Sequence, residues 1–435
     1  MSTIAEVKLW GSVIGAVVLA DGARAASFQY DPDFAESEIE VSPIMMPLAK
    51  ETYSFPDLEQ RSFHGLPGLL ADSLPDRYGN ILIEEWLVRQ GRAPNSLNAV
   101  ERLCYTGSRG MGALEFVPAI GPEFTGSQKI QVDQLVTLAD KVLAHRNRLN
   151  VKLTDADNAE AMKDILLIGT SAGGARAKAI IAWNSETNEV RSGQSTVEKG
   201  FEHWLIKFDG IGNNRDKELA DPQGYGVIEY AYHQMAKDCG ITMSECRLFE
   251  EGGRRHFMTK RFDRLPDSSK LHMQSLAALG HFDFNMPGVH GYEQAFALIR
   301  RLELPMKDSV QLFRRMIFNI VARNQDDHVK NIAFLMDRNG NWSLAPAYDV
   351  TYSYQPAGDW TANHQMSLNG KRDGFTMDDF NACGKNADLK RGQAKKIVEE
   401  IRSVVSRWLE YAESCGVFPD QRDKIQNALR LEPFP

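Results

Sequence analysis

In the stretch Val321–Leu335 (VARNQDDHVKNIAFL), Asp326 and Asn331 stand five positions apart. A carboxylate and a carboxamide at that spacing suit phosphoryl transfer. The carboxylate orients an attacking hydroxyl and takes its proton, while the amide oxygen a short loop later holds a magnesium ion. Lys330 adds positive charge where a transferred phosphoryl group builds negative charge. After the apolar strand IAFLM come the hairpin turn Asn339-Gly340, then WSLAP and Tyr348-Asp349. Asp349 thus offers a second carboxylate for the cation. A solvated turn with two acids near a histidine gives the same short pattern, so the order of these pieces carries the reading.

Lys207 is the next candidate, a lone cation in the apolar run HWLIKFDG. An unpaired buried ammonium is costly, so a strand lysine held over a phosphate has a reason to be there; an edge-strand lysine facing solvent is the alternative. Downstream, GVIEYAYHQMA offers Glu229 as its partner. The segment 168–181, IGTSAGGARAKAII, is neither a Walker A sequence nor G-x-G-x-x-G. Backbone N–H groups around Gly173 and Gly174 can form an anion-binding nest, with Lys178 opening the next strand. A plain hairpin between strands satisfies the same residues.

These residues need elements to hold them. VKLW, VIGAVVLA and ASFQY read as strands of a meander with Asp21-Gly22 as a turn, followed by helices around Leu58–Gln90. The Pro and Gly content near Pro118–Gly126 marks a boundary, and Ile130–His145 has helical spacing of leucine and valine. ILLIG, AKAIIAW and HWLIKF predict strands, Gly226–Asp238 a helix stopped by Gly240, and CRLFEE and RHFMTKRF a hairpin through Gly252-Gly253. Beyond Asp263 the chain reads as mostly helical, over Tyr292–Leu302, Ser309–Ala322 and Gly392–Ser414. Val310, Phe313, Ile317 and Ile320 lie on one core-facing stripe. A β-rich part followed by a helical part is the order of lobes in a protein kinase.

Composition sets outer bounds. The chain has 435 residues, 43% hydrophobic and 25% charged, as in a globular protein with two or three cores. A net charge of −8 gives no global field for nucleic acid or an acidic membrane. The five cysteines are dispersed, which fits buried thiols in a reducing compartment rather than a disulfide or zinc framework. VIGAVVLA followed by ARAAS mimics a signal peptide. Glu6 beside Lys8 denies it a basic leader, and the run is too short to span a bilayer. The expected location is the cytoplasm, with no membrane partner.

Taken together, SFQYDP, GSRGMGAL, SAGGARAKA, HWLIKFD, KRFDR, DDHVKN and AYDV resemble, in order, the motifs of the HipA-type serine/threonine kinases, toxins of bacterial toxin–antitoxin modules. The resemblance covers about residues 8 to 415. It implies an α+β, protein-kinase-like two-lobed fold with an N-terminal α/β subdomain and a helical C-terminal lobe. The expected divisions are 1–125, 126–264 for the lobe with the Gly-rich loop and ATP lysine, and 265–435 for the lobe with the catalytic loop.

The resemblance also implies transfer of the ATP γ-phosphate, with Mg²⁺, to a protein hydroxyl. Asp326 matches the catalytic base, Lys207 and Lys330 assist it, and Asn331 and Asp349 match the metal ligands. ATP contacts are implied for Gly173, Gly174, Ala175, Arg176, Ala177, Lys178 and Lys207. They extend to the hinge Lys260, Arg261 and Phe262, then to His328, Lys330, Asn331, Tyr348 and Asp349. The chain carries Asp327 where the family often has glycine, and the five-residue spacing selects Asp326. The loop serine that members phosphorylate on themselves aligns with Ser171, with Thr170 adjacent. A phosphate there adds about −2 charge at the mouth of the ATP site. The family's targets are translation components, notably aminoacyl-tRNA synthetases. Its partner is a small helix-turn-helix, HipB-like antitoxin through which operator DNA is reached indirectly. A small-molecule phosphotransferase and a catalytically idle antitoxin-binding corepressor are the competing readings.

Overall fold

The computed structural model describes residues 2–121, 129–145, 176–193, 199–211 and 223–435. Three sheets divide the chain. The first is antiparallel, in the order β4-β3-β2-β1-β5, built from Thr3–Leu9 (β1), Ser12–Leu19 (β2), Ser27–Tyr30 (β3), Thr52–Ser54 (β4) and Leu114–Val117 (β5). Along β1 the side chains of Ala5, Val7 and Leu9 point inward and those between them face outward, the two-residue period of a half-buried strand. Four helices accompany this sheet: Gln60–Phe63 (α1), Gly68–Ala71 (α2), Arg77–Arg89 (α3) and Ala99–Thr106 (α4). A reciprocal capping box starts α4, where Asn98 and Glu101 each satisfy the other's amide.

The second sheet is also antiparallel, in the order β7-β6-β8-β10-β9. It comprises Lys178–Asn184 (β6), Glu189–Ser192 (β7), Glu202–Lys207 (β8), Cys246–Glu251 (β9) and Arg254–Lys260 (β10). Val132–His145 (α5) packs on it, and Tyr225–Asp238 (α6) lies against β10 and β9. Helix α3 does not stay with its own sheet. Tyr78, Ile81 and Leu82 join the core of the second sheet beside Ala177, Ala179, Ile181 and Ile206, while Ile83 and Leu87 pack on Leu97 and Tyr105.

The third part holds the largest core. It combines Leu276–Gly280 (α7), Tyr292–Arg301 (α8), Met306–Val321 (α9), Met377–Asn386 (α10), Gln393–Val405 (α11), Trp408–Cys415 (α12) and Pro419–Gln426 (α13). On α9, Phe313, Ile317 and Ile320 are fully buried and Val310 packs at the margin, so the stripe expected from sequence is the core face. The expected strand IAFLM and the hairpin through Asn339-Gly340 are present as Ala333–Met336 (β12) and Trp342–Leu344 (β13). A strand the mostly helical reading missed, His272–Ser275 (β11), completes a small sheet in the order β11-β12-β13. Helix α6 joins this core through Ile228, Tyr232 and Met235 and so links the two lobes. The arrangement is the two-lobed fold of a protein kinase with an added N-terminal subdomain.

The subdomain is tied to the lobes by a buried ionic knot. Asp263 accepts from Arg261 Nε at 2.8 Å, Arg264 Nη1 at 2.7 Å and the Gly112 amide at 2.7 Å. Burial alone would push its carboxyl up, but the two guanidiniums outweigh it and hold it well below the usual range. Gly112 sits at φ +76°, and a Cβ there would meet the Met273 amide nitrogen at 2.9 Å. The GSRGMG and KRFDR motifs are therefore two halves of one joint.

Candidate active site

Lys207 ends β8, the middle strand of the second sheet. The solvent-facing edge-strand alternative is thereby overturned. Its register partners are Lys178 on β6 and Phe257 on β10, so the three side chains share one face. Helix α6 brings Glu229 to that face. Gly226, one turn earlier, permits the approach, because a Cβ there would lie 2.7 Å from the Arg255 carbonyl oxygen. Lys207 Nζ donates to Glu229 Oε1 at 2.6 Å and also to Asp349 Oδ1. Glu229 is only 2% exposed, so the pair is desolvated on the glutamate side.

Asp349 follows β13 and adopts φ +51°, a left-handed conformation unusual for a residue with a side chain. Its side chain remains 30% exposed. Burial raises its carboxyl, but Lys207 and then Lys178 outweigh that and hold it at about 2. The same partners act in reverse on Lys207. Burial favours its neutral form, yet Asp349 and Glu229 raise it above the ordinary lysine value and keep the ammonium charged.

The catalytic-loop candidates lie between α9 and β12. The side chain of Asp326 is 42% exposed, whereas that of Asp327 is 1% exposed. Asp327 accepts from Tyr292 Oη at 2.8 Å, His364 Nδ1 at 2.9 Å and the Gln365 amide at 2.8 Å. Burial would raise its carboxyl; these donors lower it instead. Arg430 Nη1 lies 2.9 Å from His364 Nε2. That contact holds the His364 ring with Nδ1 facing Asp327. Asp327 is therefore a structural anchor, and Asp326 is the carboxylate left open to solvent.

Asp326 Oδ1 accepts from the Trp360 indole at 2.7 Å and lies 3.9 Å from His328 Nε2. Asn331 Nδ2 donates to the Asp326 carbonyl at 2.8 Å, which fixes the carboxamide and leaves its oxygen as the end for a cation. Tyr348 Oη donates to the Lys330 carbonyl at 2.5 Å, tying the loop to the turn that bears Asp349. Lys330 Nζ sits 4.4 Å from the centroid of Phe284.

The remaining expected contacts divide. Arg176 stacks over Tyr225 and lies 3.9 Å from Glu229, and Ala177 is buried in the sheet core. At the hinge, Lys260 pairs with Glu202 and Arg261 is committed to Asp263, so neither side chain turns into the cleft. Their amides donate to the Glu245 and His203 carbonyls. Phe262 faces Tyr348 with ring centroids 5.7 Å apart, giving the cleft a flat apolar wall. Thr170, Ser171, Gly173, Gly174 and Ala175, with the expected strand ILLIG, lie outside the described residues.

Comparison with known proteins places this site. Residues 170–408 match the family model described as HipA-like C-terminal domain. The chain belongs to the HipA family. Residues 5–117 match the HipA N-terminal domain. Thus the candidate site lies in the HipA C-terminal domain, and Gly112 of the ionic knot comes from the HipA N-terminal domain. A Sinorhizobium fredii protein named "Putative kinase Y4dM" is 26% identical over 223 residues, 47% of this chain and 52% of its own. A Haemophilus influenzae protein with a kinase name is 24% identical over 227 residues, 45% of this chain and 66% of its own. The chain spans less than two thirds of the length of these relatives. Among solved structures, HipA of Shewanella oneidensis MR-1, determined with HipB and operator DNA, superposes with a TM-score of 0.69. The two share 17% identity, covering 98% of this chain and 94% of that one.

Sequence reasoning missed Trp360 and Asp76, which contact Asp326 and Lys178, and His364 and Arg430, which hold Asp327 in its buried place. Only Asp76 had a local signal, as a Pro-Asp pair at a helix start, and that signal speaks of capping rather than of chemistry.

Among the described residues no group of three or more His, Cys, Asp and Glu side chains is arranged to hold a metal ion. A cation here would take the Asp349 carboxylate and the Asn331 oxygen, and complete its shell with phosphate oxygens and water. That hard oxygen donor set suits Mg²⁺. None of the described helices is long and apolar enough to cross a membrane.

Proposed function

We propose that this HipA-family chain is an ATP- and Mg²⁺-dependent serine/threonine protein kinase that acts as a growth-inhibiting toxin in the cytoplasm. The observation that carries the reading is Lys207, clasped between Glu229 and Asp349, with the turn bearing Asp349 tied to the Asp326–Asn331 loop through Tyr348 and the Lys330 carbonyl. Bound Mg²⁺, held by Asp349 and Asn331, would neutralise phosphate charge. Lys207 would orient the nucleotide phosphates, with Lys178 and Lys330 adding positive charge on either side. Asp326 takes the proton of the attacking hydroxyl as its oxygen bonds to the γ-phosphorus. The bond from γ-phosphorus to the β–γ bridging oxygen breaks, and ADP leaves.

In this reading residues 1–125, 126–264 and 265–435 act as subdomain, nucleotide lobe and catalytic lobe. A HipB-like helix-turn-helix antitoxin restrains the toxin, as supported by the Shewanella complex. The acceptor is a component of translation, an aminoacyl-tRNA synthetase by family likeness, and Ser171 is the self-phosphorylated brake. Tight capture of Lys207 by two carboxylates favours an active site over an idle corepressor fold. Induced expression in a bacterial host tests the toxin claim. Wild type is expected to arrest growth and Asp326→Ala to permit it. Equal arrest by both would overturn a kinase-based toxicity.

A further inference from the structure

We infer that Asp76 of the N-terminal subdomain is a positioning residue for the nucleotide site, acting through Lys178. This rests on the proposed nucleotide-binding role of that cleft. Asp76 is the N-cap of α3, and its Oδ1 accepts from the Gly79 amide at 2.6 Å. Its other oxygen, Oδ2, lies 3.2 Å from Lys178 Nζ. The Lys178 side chain is 2% exposed and that of Asp76 is 9% exposed. Lys178 is the cross-strand partner of Lys207. One carboxylate thus does two tasks. One oxygen starts a helix, and the other balances an ammonium that borders the cleft.

The helix is itself held in place. Tyr78, Ile81 and Leu82 bury into the core of the second sheet with Ala177 and Ala179, the neighbours of Lys178. The position of the Asp76 carboxylate is therefore set by the same packing that sets β6. A counter-charge held that way stays on the Lys178 ammonium and offsets its attraction for an arriving polyanion. The subdomain then belongs electrostatically to the nucleotide site.

The consequence has a direction. Removing the Asp76 charge leaves one more net positive charge beside the cleft, which destabilises the empty protein and favours a bound polyanion. Asp76→Ser keeps a helix-capping oxygen and drops the charge; Asp76→Glu keeps the charge. The measurement is the thermal unfolding midpoint of the full chain with and without Mg²⁺–ATP, together with the ATP dissociation constant by calorimetry.

Asp76→Ser is expected to lower the midpoint without nucleotide and to tighten ATP binding by roughly three- to tenfold. Its ATP-induced midpoint shift should therefore exceed that of wild type, and Asp76→Glu should restore the wild-type pattern. A lower midpoint with wild-type ATP affinity would show a purely structural cap and overturn the inference. If Asp76→Ser fails to fold, Asp76→Asn is measured in the same way. No ATP response in wild type would instead refute the nucleotide-site reading itself, and the inference with it.

Discussion

Asp326 and Asp327 are neighbours in sequence and opposites in environment. The first presents a 42% exposed carboxylate to solvent, and the second is sealed among Tyr292, His364 and Gln365. Substitutions should separate accordingly. Asp326→Asn is expected to lose at least about a thousandfold in phosphotransfer while its unfolding midpoint stays near that of wild type. Asp327→Asn removes a buried charge from its donors and should cost about 3 kcal/mol of stability. Paired activity and urea-unfolding measurements check this, and the reverse pattern would exchange the two roles.

Glu229 should matter to catalysis and to stability together. Glu229→Gln leaves the Lys207 ammonium with Asp349 alone and removes one member of a desolvated pair. The expected loss is about tenfold to a hundredfold in kcat/KM for ATP, with a lowered unfolding midpoint. Steady-state kinetics over a range of ATP concentrations reads the first effect, and thermal unfolding reads the second.

Trp360 donates its indole proton to the oxygen of the candidate base. Trp360→Phe keeps an aromatic ring and removes the donor. It should lower kcat several-fold with little change in KM for ATP, consistent with one hydrogen bond to a charged group. A double-mutant cycle with Asp326→Asn checks the coupling. The second substitution should add almost nothing once Asp326 is neutral, whereas independent losses would place Trp360 outside the pathway.

Acid should weaken the fold before it reaches the carboxylates. His272 is fully buried against the Val41 carbonyl, and burial holds it at about 4; His281, whose Nε2 accepts from the Gly68 amide at 3.0 Å, is likewise held at about 4. The unfolded chain binds these protons near the ordinary value of 6.5, so it holds more protons than the folded chain between pH 6.5 and 4. Stability is therefore full above pH 6.5 and falls as pH drops through that window, by about 2 kcal/mol for His272 at pH 5. Unfolding midpoints at pH 7 and pH 5 should differ less in His272→Gln than in wild type. The Asp349 carboxyl contributes only at lower pH, its stabilisation fading from about 4 down to about 2.

What the sequence made legible follows from the range of the forces involved. Strand and helix periods are local, and they placed β6, β8, β10, α6 and α9 correctly. A strand lysine and a downstream helical glutamate offered Glu229 as a partner for Lys207, but only the fold makes the pair, because helix α6 must pack on the sheet to bring them together. The Gly112–Asp263 bond joins residues far apart in sequence, and its two motifs gave no local sign that they meet. Trp360 sits in an irregular segment whose position depends on Gln365 and the packed lobe around it. The hinge cations were readable as charges, but only packing shows that Arg261 is consumed by Asp263. The missed strand β11 pairs with β12 from some sixty residues away, a contact with no periodic signature in its four residues.

The central claim is that Asp326 transfers a phosphoryl group from ATP to a hydroxyl, beginning with the chain's own Ser171. The most direct measurement is intact mass after incubation with ATP and Mg²⁺, for wild type beside Asp326→Ala and Ser171→Ala. The expected result is a gain of about 80 Da in wild type alone. A wild type that binds ATP without gaining mass, or an Asp326→Ala protein that gains it equally, would contradict the account.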